Sequence, residues 1–340
     1  MTEVFVSECI RSMPKVELHV HLEGSMSPAT IQVLADRHHA DTSQIWPNGL
    51  PDRFSFDGFP DFARQFWFGL KLLRSGADLE TVVVALAQQL ASNNVRYAEV
   101  TSTVHTHLGA GMSAADYGTA LSIGRQRARL EHGVELAWVV DIPRDLETGD
   151  STITGDFLAS RHAPEGLVAI GLGGYEVGLP PEPHAAQFAR ARALGLHSVP
   201  HAGETEGPES IIGALDVLGA ERIGHGVRCL EDRDLTRRLA DSGIMLEVCP
   251  TSNVLLHVVQ SIEDHPICAL IDAGIRVSIN TDDPGMFATD LNTELALVHT
   301  DHGVSERNLL AMQRTALDAS FATHEVRTRI AAEIDRFVTT

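Results

Sequence analysis

The hydrophobic pattern of the chain switches repeatedly between two periods. Stretches with apolar residues every three to four positions, typical of helices on a core, precede short runs rich in Val, Ile and Leu, typical of buried strands. Glycine often separates the two, where a left-handed helix end is favoured. The pattern predicts seven helix–strand pairs, given with the helix first: 79–92 with 95–100, 113–132 with 134–140, 145–161 with 167–172, 183–193 with 196–201, 209–218 with 222–225, 231–241 with 244–248, and 261–273 with 275–280.

One further strand opens the chain, at residues 14–22, before Gly24. Eight strands, each later one preceded by a helix, predict an α/β fold, a (β/α)8 TIM barrel. Ser27-Pro28 provides a serine cap and a first-turn proline for a helix to about His39. Residues 291–340 are expected to form two or three extra C-terminal helices. No linker or low-complexity segment interrupts the pattern, so we expect a single barrel domain over residues 1–340.

A helical, aromatic-rich insertion is expected after the first strand. Eight of the eighteen aromatic residues lie between Trp46 and Phe68. One interpretation is a small satellite core under a long connection. The other is an aromatic lid over a site at the end of the first strand, since long insertions there often serve function. Both interpretations stay open, because a lid also has to pack.

Net charge, apolar content and cysteine spacing restrict the kinds of partner that this protein can bind. The formal charge of −20 opposes binding to nucleic acid or to an anionic membrane, since both need a basic surface. No apolar run approaches the roughly 18 residues of a membrane span. The four cysteines form no CxxC and are expected to be reduced thiols in a cytoplasmic protein. A small-molecule ligand is the expected partner, and the oligomeric state is left open.

The first strand carries the first candidate chemistry. His19 and His21 are two residues apart, so they share one face of a strand with Cα atoms roughly 6.6 Å apart. Two imidazoles at that spacing can bind one metal ion. Two half-buried histidines with ordinary hydrogen bonds would show the same spacing, so the motif alone leaves both readings open.

The ends of the later strands supply partners. In a TIM barrel catalytic groups collect where strands end. Histidines and carboxylates stand there at His201 and Glu204 after strand five, His225 after strand six, and Asp282 and Asp283 after strand eight. Three histidines and one carboxylate from strands one, five and eight would make a zinc site with room for a water. Glu204, His225 and Asp283 would surround that water.

A second pair with the same spacing, His105 and His107, lies in a glycine-bounded stretch without a matching carboxylate. We expect this pair to be solvated.

Two rival metal chemistries are disfavoured. Barrels that bridge two metals with a carboxylated lysine need a lysine in strand four, and residues 167–172 contain none. The zinc deaminases with an HxE…PCxxC signature need a CxxC, which is absent.

Taken together, these segments resemble the adenosine deaminase family of metal-dependent aminohydrolases, from about residue 13 to residue 290. The family's markers occur in order, as PKVELHVHLEG, HAGE, RIGHG, EVCPTSN and SINTDDPG. The resemblance implies one zinc ion per chain, with the following ligands: His19, His21, His201 and Asp282.

The same resemblance implies roles for the other groups. Glu204 would donate a proton to the purine ring, His225 would orient the attacking water, and Asp283 would hold a ring nitrogen. The implied substrate contacts are His21, Glu23, Asp283 and the backbone N–H of Gly174. The implied reaction is hydrolytic deamination at purine C6, giving an inosine-type product and ammonia.

Three departures from the family pattern concern the sugar end of the substrate. Glu23 stands where adenosine deaminases commonly carry an aspartate, Val100-Thr101-Ser102-Thr103 replaces an arginine and a proline, and Tyr175 replaces an aspartate. Drift in loops is one explanation. The other is a substrate whose far end differs from adenosine, as in adenine deaminases or in the relatives that act on 6-aminodeoxyfutalosine in menaquinone synthesis.

We therefore predict deamination of an adenosine-type nucleoside, either adenosine or a 5′-modified relative such as 6-aminodeoxyfutalosine. That compound carries an aromatic carboxylic acid beyond the ribose, which Arg53, Arg64 or Arg74 in the insertion could meet. Free adenine is the alternative substrate. An inactive metal-binding barrel that acts through partners is the alternative of another class.

Overall fold

The computed structural model describes residues 4–57, 59–144 and 151–338, with side chains for all of these except residues 59 and 60. Eight parallel strands pair in chain order and form the nearly closed barrel that the sequence predicts. The strands are β1 Lys15–His21, β2 Val95–Ser102, β3 Glu135–Pro143, β4 Leu167–Gly173, β5 His197–Ala202, β6 Arg222–His225, β7 Met245–Val248 and β8 Arg276–Ile279.

Helices surround this sheet and follow its strands. Their bounds are α1 Glu8–Ser12, α2 Pro28–His38, α3 Phe59–Leu70, α4 Gly76–Ser92, α5 Val104–Gly109, α6 Ala114–Arg127 (continued by a π-helical turn, Ala128–His132), α7 Thr152–Leu158, α8 Ala185–Ala193, α9 Pro208–Asp216, α10 Arg233–Ser242, α11 Pro250–Leu255, α12 Ile267–Asp272, α13 Pro284–Phe287, α14 Leu291–His302, α15 Glu306–Ala319 and α16 His324–Val338.

Most of the predicted helix–strand pairs are confirmed within a few residues. The helix predicted over 145–161 is observed at Thr152–Leu158, and residues 145–150 lie outside the described part of the chain. The helix predicted over 261–273 begins only at Ile267, after Pro266. Short helices α5 and α11 were not predicted, because six residues carry too little periodicity to stand out. The single-domain organisation stays a prediction.

The barrel closes between β8 and β1 just beyond the last residue of β8. Asp282 forms an isolated parallel bridge with Val20. Its N–H donates to the carbonyl of His19 over 3.1 Å, and its carbonyl accepts from the N–H of His21 over 2.8 Å. Closure of the barrel therefore joins the backbone of residues 19 and 21, near the start of the chain, directly to the backbone of residue 282.

The barrel interior has its own small apolar layer. Val139, Ala169 and Val199 pack together inside the strands, and Phe321 from the segment after α15 packs against them. The much larger core lies between the outer face of the strands and the helices. Because side chains fill the interior of the barrel, a functional site is expected at the mouth, at the carboxyl ends of the strands.

The aromatic insertion includes helix α3 and packs against the barrel. Trp46, Phe54 and Phe62 are buried, and the Phe62 ring stacks on Phe287 of α13 with centroids 5.4 Å apart. Trp67, by contrast, is 50% exposed. The buried aromatic residues of the insertion are continuous with the large core between strands and helices, and the action of the insertion as a lid stays a prediction.

Helix lengths and the state of the cysteines bear on the environment of the chain. Within the described ranges, every helix is too short or too polar to span a bilayer. The four cysteines are all free thiols, and Cys229 and Cys249 are buried.

Replacing Glu294 with glutamine is expected to flatten the pH dependence of stability between pH 5 and pH 7. Glu294 is fully buried and accepts hydrogen bonds from the Thr251 N–H (3.1 Å) and the Thr289 hydroxyl (2.5 Å). Burial raises its pKa from 4.5 to about 7. Because the folded state holds this proton more tightly, the stabilisation is complete below pH 4.5 and is lost as the pH rises through about 7, a change of about 3 kcal/mol.

Urea unfolding of metal-free wild type and E294Q at pH 5, 6 and 7 measures this difference, with the exposed substitution Glu325→Gln as the control. Equal pH slopes for E294Q and wild type would contradict the prediction.

Candidate active site

The four predicted metal ligands converge at the mouth of the barrel. One nitrogen or oxygen from each of them lies within 4.8 Å of all the others: His19, His21, His201 and Asp282. The rings of His19 and His201 are 4.5 Å apart between centroids, and His21 Nδ1 lies 2.8 Å from Asp282 Oδ1. The His-x-His pair therefore belongs to a cluster of four side chains that could hold a metal ion.

The donor set fits a divalent cation. His19 Nε2 and His201 Nδ1 are buried, and no group in the described ranges forms a hydrogen bond with either. Such orphaned nitrogens are costly in a protein interior unless something binds them. Burial and the neighbouring His19 and His21 hold the pKa of His201 well below its ordinary value, so its ring keeps a lone pair for a metal. Three imidazoles and one carboxylate are a typical zinc ligand set.

Asp282 stays ionised in this cluster. Burial by itself would raise its pKa, but the adjacent His19, whose Nε2 lies 3.4 Å from Asp282 Oδ1, and His21 hold it well below the ordinary range. The hydroxyl of Ser252, on α11, donates to Asp282 Oδ2 over 2.6 Å. The backbone of Asp282 has a φ of +64°, a left-handed conformation that is uncommon for a residue other than glycine.

A carboxylate on β7 fixes the orientation of His19. Glu247 Oε2 lies 3.1 Å from His19 Nδ1, and Glu247 Oε1 accepts from Arg222 Nε over 2.6 Å. Arg222 also donates to Glu99, so a buried ionic chain crosses the barrel beneath the cluster. When Nδ1–H of His19 donates its hydrogen bond to Glu247, Nε2 is the ring nitrogen left to face the cluster.

The remaining predicted catalytic groups surround the same point. Glu204 Oε1 is buried, has no hydrogen-bond partner within the described chain, and lies 3.8 Å from His225 Nε2. Burial and the charge of Asp282 raise the pKa of Glu204 well above its ordinary value, which favours the protonated acid. Asp283 Oδ1 lies 3.4 Å from His21 Nδ1, and burial likewise raises the pKa of Asp283.

His225 is a neutral ring with a defined tautomer. Burial lowers its pKa to about 4. The side-chain amide of Asn253 lies 3.3 Å from His225 Nδ1, and its oxygen lies 3.1 Å from His265 Nε2. With the amide nitrogen donating to Nδ1, the Nε2 of His225 carries the hydrogen and points it towards Glu204 and Asp282.

Close packing makes a glycine necessary beside Asp283. A Cβ atom at Gly24 would lie 1.7 Å from Asp283 Oδ1. Only glycine therefore leaves room for the aspartate at this position, which explains why the first strand motif ends in Glu-Gly. Gly174, the other predicted substrate contact, directly follows β4 at the same mouth and has a φ of +89°.

Glu23 has protein partners that the sequence did not reveal. Its Oε1 accepts from the Ser102 hydroxyl (2.7 Å) and the Thr103 N–H (3.2 Å), and it lies 2.8 Å from His107 Nε2. His107 is only 2% exposed and lies on α5, so the expectation of a solvated pair in a loop is wrong for His107. The matching carboxylate comes from the β1 loop, 84 residues away.

Sequence reasoning also missed the supporting groups. Glu247, Ser252 and Asn253 lie in the segment EVCPTSN, and Arg222 opens RIGHG. These motifs had been used as markers without a role for each residue. For Glu247 the available signal is an ionisable residue inside an otherwise apolar strand, since such a residue needs a buried partner. A further acid, Asp141 on β3, is 4% exposed, and its Oδ1 lacks a hydrogen-bond partner in the described chain.

A barrel with this cluster at its carboxyl mouth has the architecture of a metal-dependent aminohydrolase. The family model for adenosine deaminase matches residues 14–337. The chain belongs to the adenosine deaminase family of hydrolytic deaminases.

Individual relatives agree with this assignment. The chain is 41% identical over 333 residues to an aminodeoxyfutalosine deaminase of Streptomyces avermitilis, covering 96% of this chain and 92% of that protein. It is 34% identical over 327 residues to an adenine deaminase of Rhodospirillum rubrum, covering 95% and 97%. Among solved structures, adenine deaminase from Arthrobacter aurescens superposes with a TM-score of 0.89 at 27% identity, covering 97% of this chain and all of that one.

Replacing Glu247 with glutamine is expected to weaken metal binding by about 10- to 100-fold. Glutamine can keep one oxygen for Arg222, but it then turns an N–H group towards His19 Nδ1. That contact favours the tautomer with the hydrogen on Nε2, which is the nitrogen that faces the cluster. Zinc affinity measured by competition with a chromogenic chelator tests this expectation.

The exposed substitution Glu325→Gln controls for loss of charge alone. An affinity of E247Q for zinc equal to that of wild type would show that Glu247 does not orient His19.

Proposed function

We propose that this protein hydrolyses the C6 amino group of an adenosine-type nucleoside, with zinc as its metal. The observation that carries the proposal is the set of groups at one point of the barrel mouth. Three histidines and an ionised aspartate stand ready for a cation, beside a buried acid (Glu204) that favours its protonated form. Water and substrate would give the 6-oxo product and ammonia.

The metal would be held by the cluster named above, that is, by His19, His21, His201 and Asp282. Zinc in such a site lowers the pKa of water from 15.7 towards 7 and so supplies a nucleophile at neutral pH.

The protein's own groups would handle the protons and the ring. Addition of the water oxygen at C6 places electron density on the adjacent ring nitrogen, and Glu204 would donate its proton there. His225 would direct its Nε2–H towards the water oxygen, because Asn253 occupies Nδ1. Asp283 would bind a further ring nitrogen and Gly174 would offer its N–H to the base. His21, beside Asp283, would contact the substrate as well as the metal.

We infer that the preferred nucleoside is modified at the 5′ position, as 6-aminodeoxyfutalosine is. Support comes from the 41% identity to an aminodeoxyfutalosine deaminase over nearly the whole chain. The structure adds that Glu23 is buried and that its Oε1 already contacts Ser102, Thr103 and His107, so this oxygen is not free for a ribose 5′-hydroxyl. This reaction would belong to menaquinone synthesis.

Deamination of free adenine is the second candidate. It is favoured by the 34% identical relative and by the structural neighbour, both of which are adenine deaminases. Of the arginines predicted to meet a substrate carboxylate, Arg64 pairs with Asp61 over 2.6 Å and Arg74 donates to the carbonyl of Lys71. A carboxylate-binding role for Arg53, Arg64 or Arg74 stays a prediction.

Parallel assays should separate these substrates. We expect kcat/KM for ammonia release to be at least about tenfold higher with 6-aminodeoxyfutalosine than with adenosine, 5′-deoxyadenosine or adenine, a difference of about 1.4 kcal/mol in transition-state binding. A clear preference for adenine would overturn the nucleoside assignment. Absence of ammonia release from every compound by the zinc-loaded protein would favour the inactive barrel.

Glu204→Gln is expected to lower kcat by about 10²–10⁴-fold, because glutamine has no acidic proton for the ring nitrogen. Zinc content should stay at the wild-type level, since Glu204 is outside the ligand set. Metal analysis alongside steady-state kinetics measures both. Near-normal turnover in zinc-loaded E204Q would rule out Glu204 as the proton donor.

A further inference from the structure

A buried carboxylate from a different loop holds the turn that carries Glu204. Glu176 lies three residues after β4 and is 1% exposed. Its Oε1 accepts from the N–H groups of Glu204 (2.7 Å) and Thr205 (3.0 Å). Its Oε2 accepts from the N–H of Gly203 (2.9 Å) and the hydroxyl of Ser210 (2.5 Å).

Three successive N–H groups that converge on one point form a concave anion site of the kind called a nest. Here the anion is a side chain of the protein itself. Each oxygen of Glu176 has two donors, so the carboxylate fixes the positions of three consecutive peptide groups. Gly203 contributes the positive φ of +73° that this turn needs.

The positive partner of Glu176 binds the other end of the same turn. Arg144, whose side chain is fully buried, lies 4.0 Å from Glu176 Oε2. Its Nη2 donates to the carbonyl of His201 over 2.5 Å, and its Nη1 donates to the carbonyl of Leu179. Arg144 thus binds the backbone at His201, and its ion-pair partner Glu176 binds the backbone of residues 203–205.

The link between the two loops is reciprocal. The backbone N–H of Glu176 donates to the Thr205 hydroxyl over 3.3 Å, while the Glu176 side chain accepts from the Thr205 N–H. Gly174 lies two residues before Glu176 on the same loop. Glu176 therefore links the loop that carries Gly174 to the turn that carries Glu204.

One oxygen of the Glu204 carboxyl group has no such support within the described chain. This atom, Oε1, makes no hydrogen bond with the described part of the protein. Its position therefore depends on where the backbone of the turn places it. An error of about 1 Å in the position of a catalytic group can cost about 10²-fold in rate.

We propose that Glu176 is a positioning residue for deamination, which acts by holding the backbone of residues 203–205 so that Glu204 meets the purine ring nitrogen. This inference rests on the proposed function, because it takes Glu204 to be the proton donor. It assigns to Glu176 no contact with the substrate or the metal.

The first test is Glu176→Gln in the zinc-loaded protein, assayed with 6-aminodeoxyfutalosine and with adenosine. Glutamine has the same shape, but its NH2 group would face two N–H or O–H donors. We expect kcat per zinc-loaded site to fall about 10²-fold, with KM and zinc affinity within about threefold of wild type. The matched control is Glu209→Gln, an exposed acid at the start of α9, which should leave kcat unchanged.

The decisive measurement is a double-mutant cycle with Glu204→Gln. When the proton donor is absent, its position no longer matters, so E176Q/E204Q should turn over at the rate of E204Q within about threefold. Residues that act as one unit give such non-additive effects. If the two losses multiply, Glu176 acts independently of Glu204 and the proposal is wrong.

A purely structural role gives a different pattern. In that case E176Q would lower the melting temperature and the fraction of zinc-loaded sites, while kcat per loaded site would stay at the wild-type value, and the proposal would fail. Should E176Q not fold, Glu176→Asp keeps the charge but is one methylene too short for all four donors. We then expect E176D to lower kcat about tenfold in the wild-type protein but to leave kcat of E204Q unchanged within about threefold.

The outcome for E204Q alone separates the two levels of inference. A large loss in E204Q with normal kcat in E176Q would refute only the positioning role. Normal turnover in E204Q would refute the proton donor of the proposed function, and the role of Glu176 with it.

Discussion

The structure depends above all on the closure of the barrel between its first and last strands. Two backbone hydrogen bonds make this closure beyond β8, and both involve Asp282 with residues 19 and 21. The same three residues supply three of the four side chains of the metal cluster. Because the seam of the barrel and the cluster use the same residues, the ligand geometry is fixed by the sheet itself rather than by a flexible loop.

Two residues at the mouth of the barrel have an unusual, left-handed backbone conformation. Asp282 and His225 both have a positive φ, at 64° and 61°, although neither is glycine. Such conformations cost of order 1–3 kcal/mol and persist where the surrounding structure determines them. Here the surroundings include the strand bridge at Asp282 and the Asn253 contact at His225. The strain therefore lies at groups whose direction matters for chemistry.

Buried carboxylates organise the rest of the site, and each has a distinct set of partners. Glu247 has His19 and Arg222, Glu176 has three N–H groups and a hydroxyl, and Glu23 has His107 and the β2 loop. A buried carboxylate without donors would be protonated or destabilising. Beside these three satisfied carboxylates, the buried atoms without a hydrogen bond in the described ranges include three at the mouth of the barrel: His19 Nε2, His201 Nδ1 and Glu204 Oε1. They are the atoms to which the proposed function assigns a metal or a substrate.

The sequence by itself determined the barrel and the identity of the groups at its mouth. Helix and strand periods are local properties, and the rule that catalytic groups stand at strand ends needs only the order of elements. The tertiary structure alone decided which residues support those groups. Glu247 meets His19 across 228 residues and Glu23 meets His107 across 84, and no local pattern encodes such pairs. Hydrogen bonds between distant side chains depend on strand register and closure, which exist only once the chain has folded.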